Sequence, residues 1–272
     1  MKIAGQRIFL TGASSGLGAA LACEFARRGA SCALVARRLD RLEELADRIV
    51  ACCGEASRPV TVACDVTDET NVKHAVETAV ARLGGIDILV NNAGISLYGE
   101  TSRSSARDLA DLLDVNLLGC VRVQEAVLPH MKRQGGGTIV NIASVAAIRG
   151  VPYLAAYGAS KAALATYSQS LRAEVARQGI QVQVIYPGYT ETPIFDNEKK
   201  IGSARRPPGP YAPVERVAQQ IAGAIEKGRP EVVLGASGRC LAFLRGTLPG
   251  LVDRIMERLA VRLGNSEVSD HA

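Results

Sequence analysis

Tyr157 and Lys161 stand four residues apart in the run Tyr153–Gln178, whose apolar residues recur at helical spacing. On a helix that spacing puts both side chains on one face, within reach of each other or of a shared ligand. An unperturbed phenol, with a pKa of about 10, is a poor proton donor or acceptor at neutral pH. Bringing it near neutrality takes roughly 4 kcal/mol of preference for the phenolate, which a neighbouring ammonium such as Lys161, or a cationic cofactor ring, can supply. Upstream, the stretch Asn141-Ile-Ala-Ser144 ends on a hydroxyl, and Asn116 sits as a mediocre helix former inside a helical run, which points to a polar task. Taken alone, a Tyr and a Lys at this spacing also fit an ordinary helix with a half-buried ring and a surface amine. The rest of the chain weighs between the two readings.

The elements that must position these residues alternate strictly. Short β-branched or apolar runs predict strands at Arg7–Thr11, Ser31–Ala36, Val60–Cys64, Ile86–Asn91, Gly137–Ile142, Ile180–Tyr186 and Glu231–Leu234. Helical patterns lie between and after them, at Gly16–Arg28, Leu39–Ala51, Glu69–Arg82, Ser105–Lys132, Tyr153–Gln178, Pro213–Lys227 and Leu241–Arg262. This alternation predicts a parallel sheet with helices on both faces, and in such sheets ligands bind beyond the carboxyl ends of the strands. Each stretch with chemical potential falls just after a strand.

Thr11-Gly-Ala-Ser-Ser-Gly-Leu-Gly18 follows the first strand and opens the first helix. Gly12 suits a sharp turn, Gly16 a close approach of phosphate to backbone, and Gly18 tight packing of helix on strand. The helix start adds free N–H groups and positive dipole for a pyrophosphate. An unliganded tight turn is the alternative, and the G-x-x-x-G-x-G spacing departs from the commoner dinucleotide G-x-G-x-x-G. The second strand is followed by Arg37 and Arg38 rather than by an acid, which favours a 2′-phosphate over a free ribose hydroxyl and so NADP over NAD. The alternative is that both Arg simply solvate the start of the next helix. Asp65, before Val66, is placed either to bond an adenine amino group or to accept in a turn. Asn91-Asn-Ala-Gly94 ends the fourth strand, and Tyr186-Pro-Gly-Tyr-Thr-Glu-Thr-Pro193 ends the sixth.

The 272 residues suit one large domain, with 47% apolar and 22% charged residues as in an ordinary globular protein. A net charge of +5 without a dense basic stripe argues against nucleic-acid binding. Seven irregularly spaced Cys read as reduced core residues of a reducing compartment, and three scattered His leave no metal site. The amino-terminal run leads directly into a strand, and no apolar run is long enough to span a membrane, so a cytoplasmic protein is expected.

The order TGASSGLG, NNAG, Asn116, Ser144, Tyr157-x-x-x-Lys161 and PGYTETP resembles that of the short-chain dehydrogenase/reductase family, over roughly residues 5 to 235. The resemblance implies a Rossmann-like, doubly wound sheet of seven parallel strands in a single domain, with a nicotinamide cofactor. It also implies a catalytic tetrad of Asn116, Ser144, Tyr157 and Lys161. In that tetrad Tyr157 exchanges a proton with the substrate oxygen and Ser144 hydrogen-bonds the same oxygen. Lys161 lowers the phenol pKa and binds the nicotinamide ribose, and Asn116 holds a water of a proton relay. The implied cofactor-binding set is Gly12, Ser14, Ser15, Gly16, Leu17, Gly18, Arg37, Arg38, Asp65, Val66, Asn92, Ala93, Gly94, Tyr157, Lys161, Pro187, Gly188, Thr190 and Thr192. Asn92 borders the adenosine, and Thr192 with the turn after Gly188 meets the nicotinamide amide. Thr190 stands where the family more often has Val or Ile.

Residues 194–210, rich in Lys, Gly, Ser and Pro, are expected to form a mobile lid within a catalytic domain spanning 1–237, with their charged side chains on its solvated face. Residues 238–272 form a helical extension and a frayed tail. Leu248, Leu251, Val252, Ile255 and Leu259 repeat at helical spacing with Arg245, Arg254, Arg258 and Arg262 beside them. Such a helix covers the core, meets another subunit or lies on a membrane surface. The expected activity is NADP(H)-dependent interconversion of a hydrophobic ketone or aldehyde and its alcohol, by a homodimer or homotetramer. A 3-oxoacyl-thioester reductase is the alternative enzyme. A non-catalytic NADP-binding regulator is the alternative of another class, and it is disfavoured because Tyr157 and Lys161 are both present.

Overall fold

The strands are nearly unbroken runs of Val, Ile, Leu and Ala, as required where both faces of a sheet are covered. The computed structural model describes residues 1–192, 198–207, 209 and 211–264. In chain order its first elements are β1 (Arg7–Thr11), α1 (Gly16–Arg27), β2 (Ser31–Ala36), α2 (Leu39–Cys53), β3 (Val60–Ala63), α3 (Glu69–Leu83) and β4 (Ile88–Asn91). Next come β5 (Leu97–Gly99), α4 (Ala106–Leu113), α5 (Gly119–Arg133), β6 (Gly137–Ile142), α6 (Ala155–Val175), β7 (Ile180–Tyr186) and β8 (Lys199–Ile201). The last are α7 (Val214–Lys227), β9 (Glu231–Val233), α8 (Ala236–Thr247) and α9 (Pro249–Gly264). Seven strands form one parallel sheet in the order β3-β2-β1-β4-β6-β7-β9. The order reverses beside β1, and the crevice between the carboxyl ends of β1 and β4 is where such sheets bind ligands.

Alternation along β1 sorts the core into two layers. Ile8 and Leu10 point to one face, where Leu21, Phe25, Leu42, Ile49, Ile221 and Ile225 of α1, α2 and α7 close over them. Phe9 points to the other, under Val72, Val76, Val123, Met131 and Leu171 of α3, α5 and α6. A buried polar web crosses the second layer. Asn91 and Gln124 donate to Asn141 Oδ1 at 2.9 and 3.1 Å, and Asn141 Nδ2 donates to Ser168 Oγ at 2.7 Å. It ties β4, β6, α5 and α6 together directly beneath the ends that carry the expected chemistry.

Several expectations need correction. The helix expected over Ser105–Lys132 is interrupted by a π-helical turn, Asp114–Leu118, with the buried Asn116 at its centre. The helix expected from Tyr153 begins at Ala155, because Tyr153 has φ 67°, the only positive φ among described non-glycine residues. The single C-terminal helix is two, α8 and α9, broken at Leu248-Pro249, since Pro cannot continue a helix from the preceding turn. Of the expected lid, residues 194–197, 208 and 210 lie outside the described residues, as does 265–272 of the tail. The remainder is an ordered arm: β8 pairs in parallel with β5 as a second, two-stranded sheet. The lid's charges are not all solvated either, because the buried Glu198 carboxylate pairs with a part-buried Arg206, with side-chain exposures of 0% and 17%. Of the cysteines, Cys32, Cys64 and Cys120 are core residues, whereas Cys52 and Cys240 are exposed.

Candidate active site

Beyond the carboxyl ends of the strands lies a cleft of about 680 Å³. One end is built by the turn between β1 and α1. Gly12 has φ 68° and lies against Ala93, and a Cβ on Gly18 would collide with the Gly12 carbonyl. The turn is clamped from β4: Asn92 Nδ2 donates to the carbonyls of Thr11 and Gly12 at 3.0 and 3.3 Å, and Thr11 Oγ1 accepts the N–H groups of Asn92 and Ala93. Ser15 stands at the N-cap of α1 but makes no side-chain cap. Its hydroxyl and that of Ser14 instead accept from Arg38 Nη2, each at 3.2 Å. The helix therefore presents its first N–H groups to the cleft uncapped by any side chain, a chemistry suited to a phosphate.

Arg37 and Arg38 extend from the end of β2 into this part of the cleft. Arg37 Nη1 lies 3.9 Å from Asp65 Oδ2. The other oxygen of Asp65 accepts from Thr67 N and Oγ1 at 3.0 and 2.8 Å, so the plainer expectation, a turn acceptor, holds for that oxygen. Val66 lines the same wall.

The far end gathers the chemistry. Ser144, after β6, and Tyr157 and Lys161, on α6, all line the cleft. Burial pushes the Tyr157 phenol above its ordinary pKa, while the Ser144 hydroxyl and then the Arg206 charge pull it back. Lys161 is itself buried, which pulls its pKa down, and Nζ donates to the Ile142 carbonyl at 2.9 Å. Asn116 does not line the cleft. Its amide bonds the backbone of Ile95 in both directions, accepting from N at 2.8 Å and donating to O at 3.0 Å, and it donates to Ser160 Oγ at 2.9 Å. These three bonds pull the helix open into its π turn. Gly94 separates the two groups: a Cβ there would stand 3.0 Å from Asn116 Oδ1 and 3.3 Å from Lys161 Nζ.

Every other residue of the expected set lines the cleft: Gly12, Ser14 to Gly18, Asn92 to Gly94, Pro187, Gly188, Thr190 and Thr192, besides those already placed. Residues that the expected set does not contain line it as well, Tyr189 and Arg206 among them. Tyr189 sits inside the quoted turn PGYTETP, and Arg206 lies in the arm. Arg206 stands 4.7 Å over the Tyr98 ring, with Nε and Nη2 on the Glu198 carboxylate. The backbone beside it is fixed, since Tyr98 donates to the Arg205 carbonyl at 2.7 Å and Arg205 N donates to the Leu263 carbonyl at 2.9 Å. A positive residue in a Pro- and Gly-rich segment gives no sign of burial; only the acid eight positions earlier hints at a partner.

The arrangement joins an uncapped helix start and two guanidiniums at one end to a phenol, a hydroxyl and an amine at the other. Comparison with known proteins agrees. The profile of the family described as short chain dehydrogenase matches residues 6–201. The dehydrogenase/reductase SDR family protein 7-like of Drosophila melanogaster is 32% identical over 273 residues, covering 98% of this chain and 84% of that protein. A short chain dehydrogenase from Burkholderia cenocepacia J2315, solved in complex with NADP, superposes with a TM-score of 0.81 at 27% identity, over 94% of this chain and 99% of that one. A 3-ketoacyl-(acyl-carrier-protein) reductase from Brucella melitensis, complexed with NADH, superposes with a TM-score of 0.75 at 30% identity, over 86% and 98%.

Proposed function

The chain belongs to the short chain dehydrogenase family of oxidoreductases, and from that premise we propose that it interconverts a hydrophobic ketone or aldehyde and its alcohol with NADP(H). The observation that carries this reading is the shared cleft: Tyr157 and Ser144 open onto the same space as the uncapped start of α1 and the guanidiniums of Arg37 and Arg38.

NADP(H), when bound, supplies or accepts the hydride. The Gly12–Gly18 turn and the start of α1 would hold its pyrophosphate, Arg37 and Arg38 its 2′-phosphate, and Asp65 and Val66 its adenine. Asn92, Ala93 and Gly94 would border the adenosine, Lys161 the ribose, and Pro187 to Thr192 the amide. Tyr157 donates its proton to the substrate oxygen in reduction and removes one in oxidation. Ser144 donates a hydrogen bond to the same oxygen as charge develops on it. Lys161 favours the phenolate and passes protons toward solvent through a water at Asn116. NADP is preferred over NAD because two donors and no acid stand at the end of β2.

Initial rates at 340 nm with a panel of ketones and alcohols, using NADPH and NADP and separately NADH and NAD, test the reading. Turnover with neither pair would remove it in favour of a non-catalytic binding protein, and faster turnover with NADH would remove the cofactor preference. The likeness to a 3-ketoacyl-(acyl-carrier-protein) reductase supports a second reading, a 3-oxoacyl-thioester reductase. Association into a homodimer or homotetramer through α5 and α6, with residues 1–237 as the catalytic unit, belongs to the same proposal. The outward apolar residues of α8 and α9, Phe243, Leu251 and Ile255 among them, suit contact with a subunit or a membrane surface. Among the described residues no helix is long and apolar enough to cross a membrane.

A further inference from the structure

We infer that α9 lies flat on an anionic lipid bilayer, its outward apolar stripe entering the surface and the arginines beside that stripe meeting lipid phosphates. The inference chooses between the two partners named above for α8 and α9, and it does not depend on the oxidoreductase reading.

The side chains of α9 sort by charge around its axis. Val252 and Leu263 are buried against the body of the protein, and Asp253 pairs with Arg149 on the loop before α6. Leu251, Ile255 and Leu259 recur at i, i+4 and i+8, so they share one stripe of the helix. Leu251 and Ile255 are each 43% exposed, and Leu259 is half-buried. Arg254, Arg258 and Arg262, all exposed, stand three positions after each of these and form a second row along the edge of the first. The acids Asp253 and Glu257 come two positions after Leu251 and Ile255, which turns them to the far side of the helix. α8 packs on α9 and adds Phe243, 68% exposed.

Elsewhere the protein answers helix-surface arginines with an acid one turn away, as in Arg28–Glu24, Arg41–Glu44 and Arg107–Asp111. Arg254, Arg258 and Arg262 have no ion pair among the described residues. Like charges one turn apart weaken the helix that carries them, and an anionic surface removes that repulsion. A second copy does not. A two-fold contact on this stripe would set the same arginines against one another, out of water and without acids. A bilayer takes both rows at once: acyl chains receive Leu251 and Ile255, and the long arginine side chains extend to the phosphates. Tyr153 and Arg205, next to the cleft-lining Leu154 and Arg206, bond the end of α9, so the bilayer would lie close to the cleft.

The test sediments the full chain with vesicles of phosphatidylcholine alone and with about 30% phosphatidylserine, at about 0.1 M and about 0.5 M salt. Apparent affinity is expected to be about tenfold or more higher for the anionic vesicles, and to fall at the higher salt. Each arginine near such a surface adds roughly fivefold, so replacing both Arg258 and Arg262 by Gln should lower the affinity by about tenfold or more. Ile255→Gln should lower it with every arginine in place, which separates insertion from charge alone. These side chains are exposed, so the variants are expected to keep the fold, and circular dichroism checks that. Absence of binding at the lower salt, equal binding to both kinds of vesicle, or binding unchanged in both variants overturns the inference. Loss of an oligomer in Ile255→Gln, seen by size-exclusion chromatography of a wild type that ignores vesicles, would assign the stripe to a second copy instead. None of these measurements uses turnover, so the oxidoreductase reading stands or falls separately.

Discussion

Tyr157 gathers opposing influences at one oxygen. Burial holds its proton, and Ser144 and Arg206 loosen it. Tyr157→Phe is therefore expected to lower kcat by about 10²- to 10⁴-fold, the range of a lost general acid, with cofactor affinity changed little. Single-turnover rates and a fluorescence titration with NADPH check this, and retained turnover would mean a misassigned donor. Arg38→Ala should weaken NADPH by about tenfold or more and NADH far less, since a charged hydrogen bond contributes roughly 1.5–3 kcal/mol. Equal losses for both cofactors would remove the case for a 2′-phosphate contact. The Tyr157–Lys161 pair and the glycine turn were legible because each is a local spacing with a chemical meaning, whereas Asn116 and Ser144 joined them only through the family resemblance. Arg206 was not. Its burial comes from Glu198 and from Tyr98, which is distant in sequence, and no periodicity records either contact.

Among the elements, the strands were the most legible, since a strand covered on both faces must be apolar along its length. Breaks in helices were harder to see. The π turn at Asn116 comes from an amide choosing the Ile95 backbone over its own helix, and nothing nearby in sequence announces Ile95 as a partner. Asn116→Ala strands these buried groups, and a loss of about 2–4 kcal/mol in urea unfolding is expected. A loss under 1 kcal/mol would show that the π turn is held by something else. The arm depends on a different contact. Lys199 donates to Asp108 at 2.5 Å, and this bond, with those from Ser105, holds the Asp108 carboxyl down to about 2. A lowered carboxylate pKa stabilises the docked arm at pH values above its unfolded value, and that contribution is lost as pH falls through about 2. Pepsin cleavage within residues 198–207, relative to the rest of the chain, should be slow at pH 4 and rise toward pH 2. Lys199→Met should already be cleaved quickly at pH 4; a variant indistinguishable from wild type would show that this pair does not dock the arm.

Across the whole molecule, the Rossmann-like sheet could be read from the alternation of patterns, but the route by which the C-terminus returns to the site could not. α9 buries Val252 and Leu263, and it reaches the loop before α6 through Arg149–Asp253 and Tyr153 Oη to the Ala260 carbonyl at 2.8 Å. That bond accompanies the left-handed backbone of Tyr153, four residues before Tyr157. Deleting residues 249–272 is expected to lower both thermal stability and kcat/KM, read by calorimetry and by rates on the best substrate of the panel. Unchanged values for both would make α9 an ornament of the fold.

The contacts from Tyr153 and Arg205 end on main-chain oxygens near the end of α9, those of Ala260 and Leu263, and the second is among the carbonyls an α-helix leaves without partners of its own. Every residue type brings the same carbonyl. Replacing side chains along α9 one at a time would thus leave both tethers in place and make the helix look dispensable. Ending the helix before Ala260 would cut both at once, so for this clasp chain length, more than composition, is the quantity under constraint.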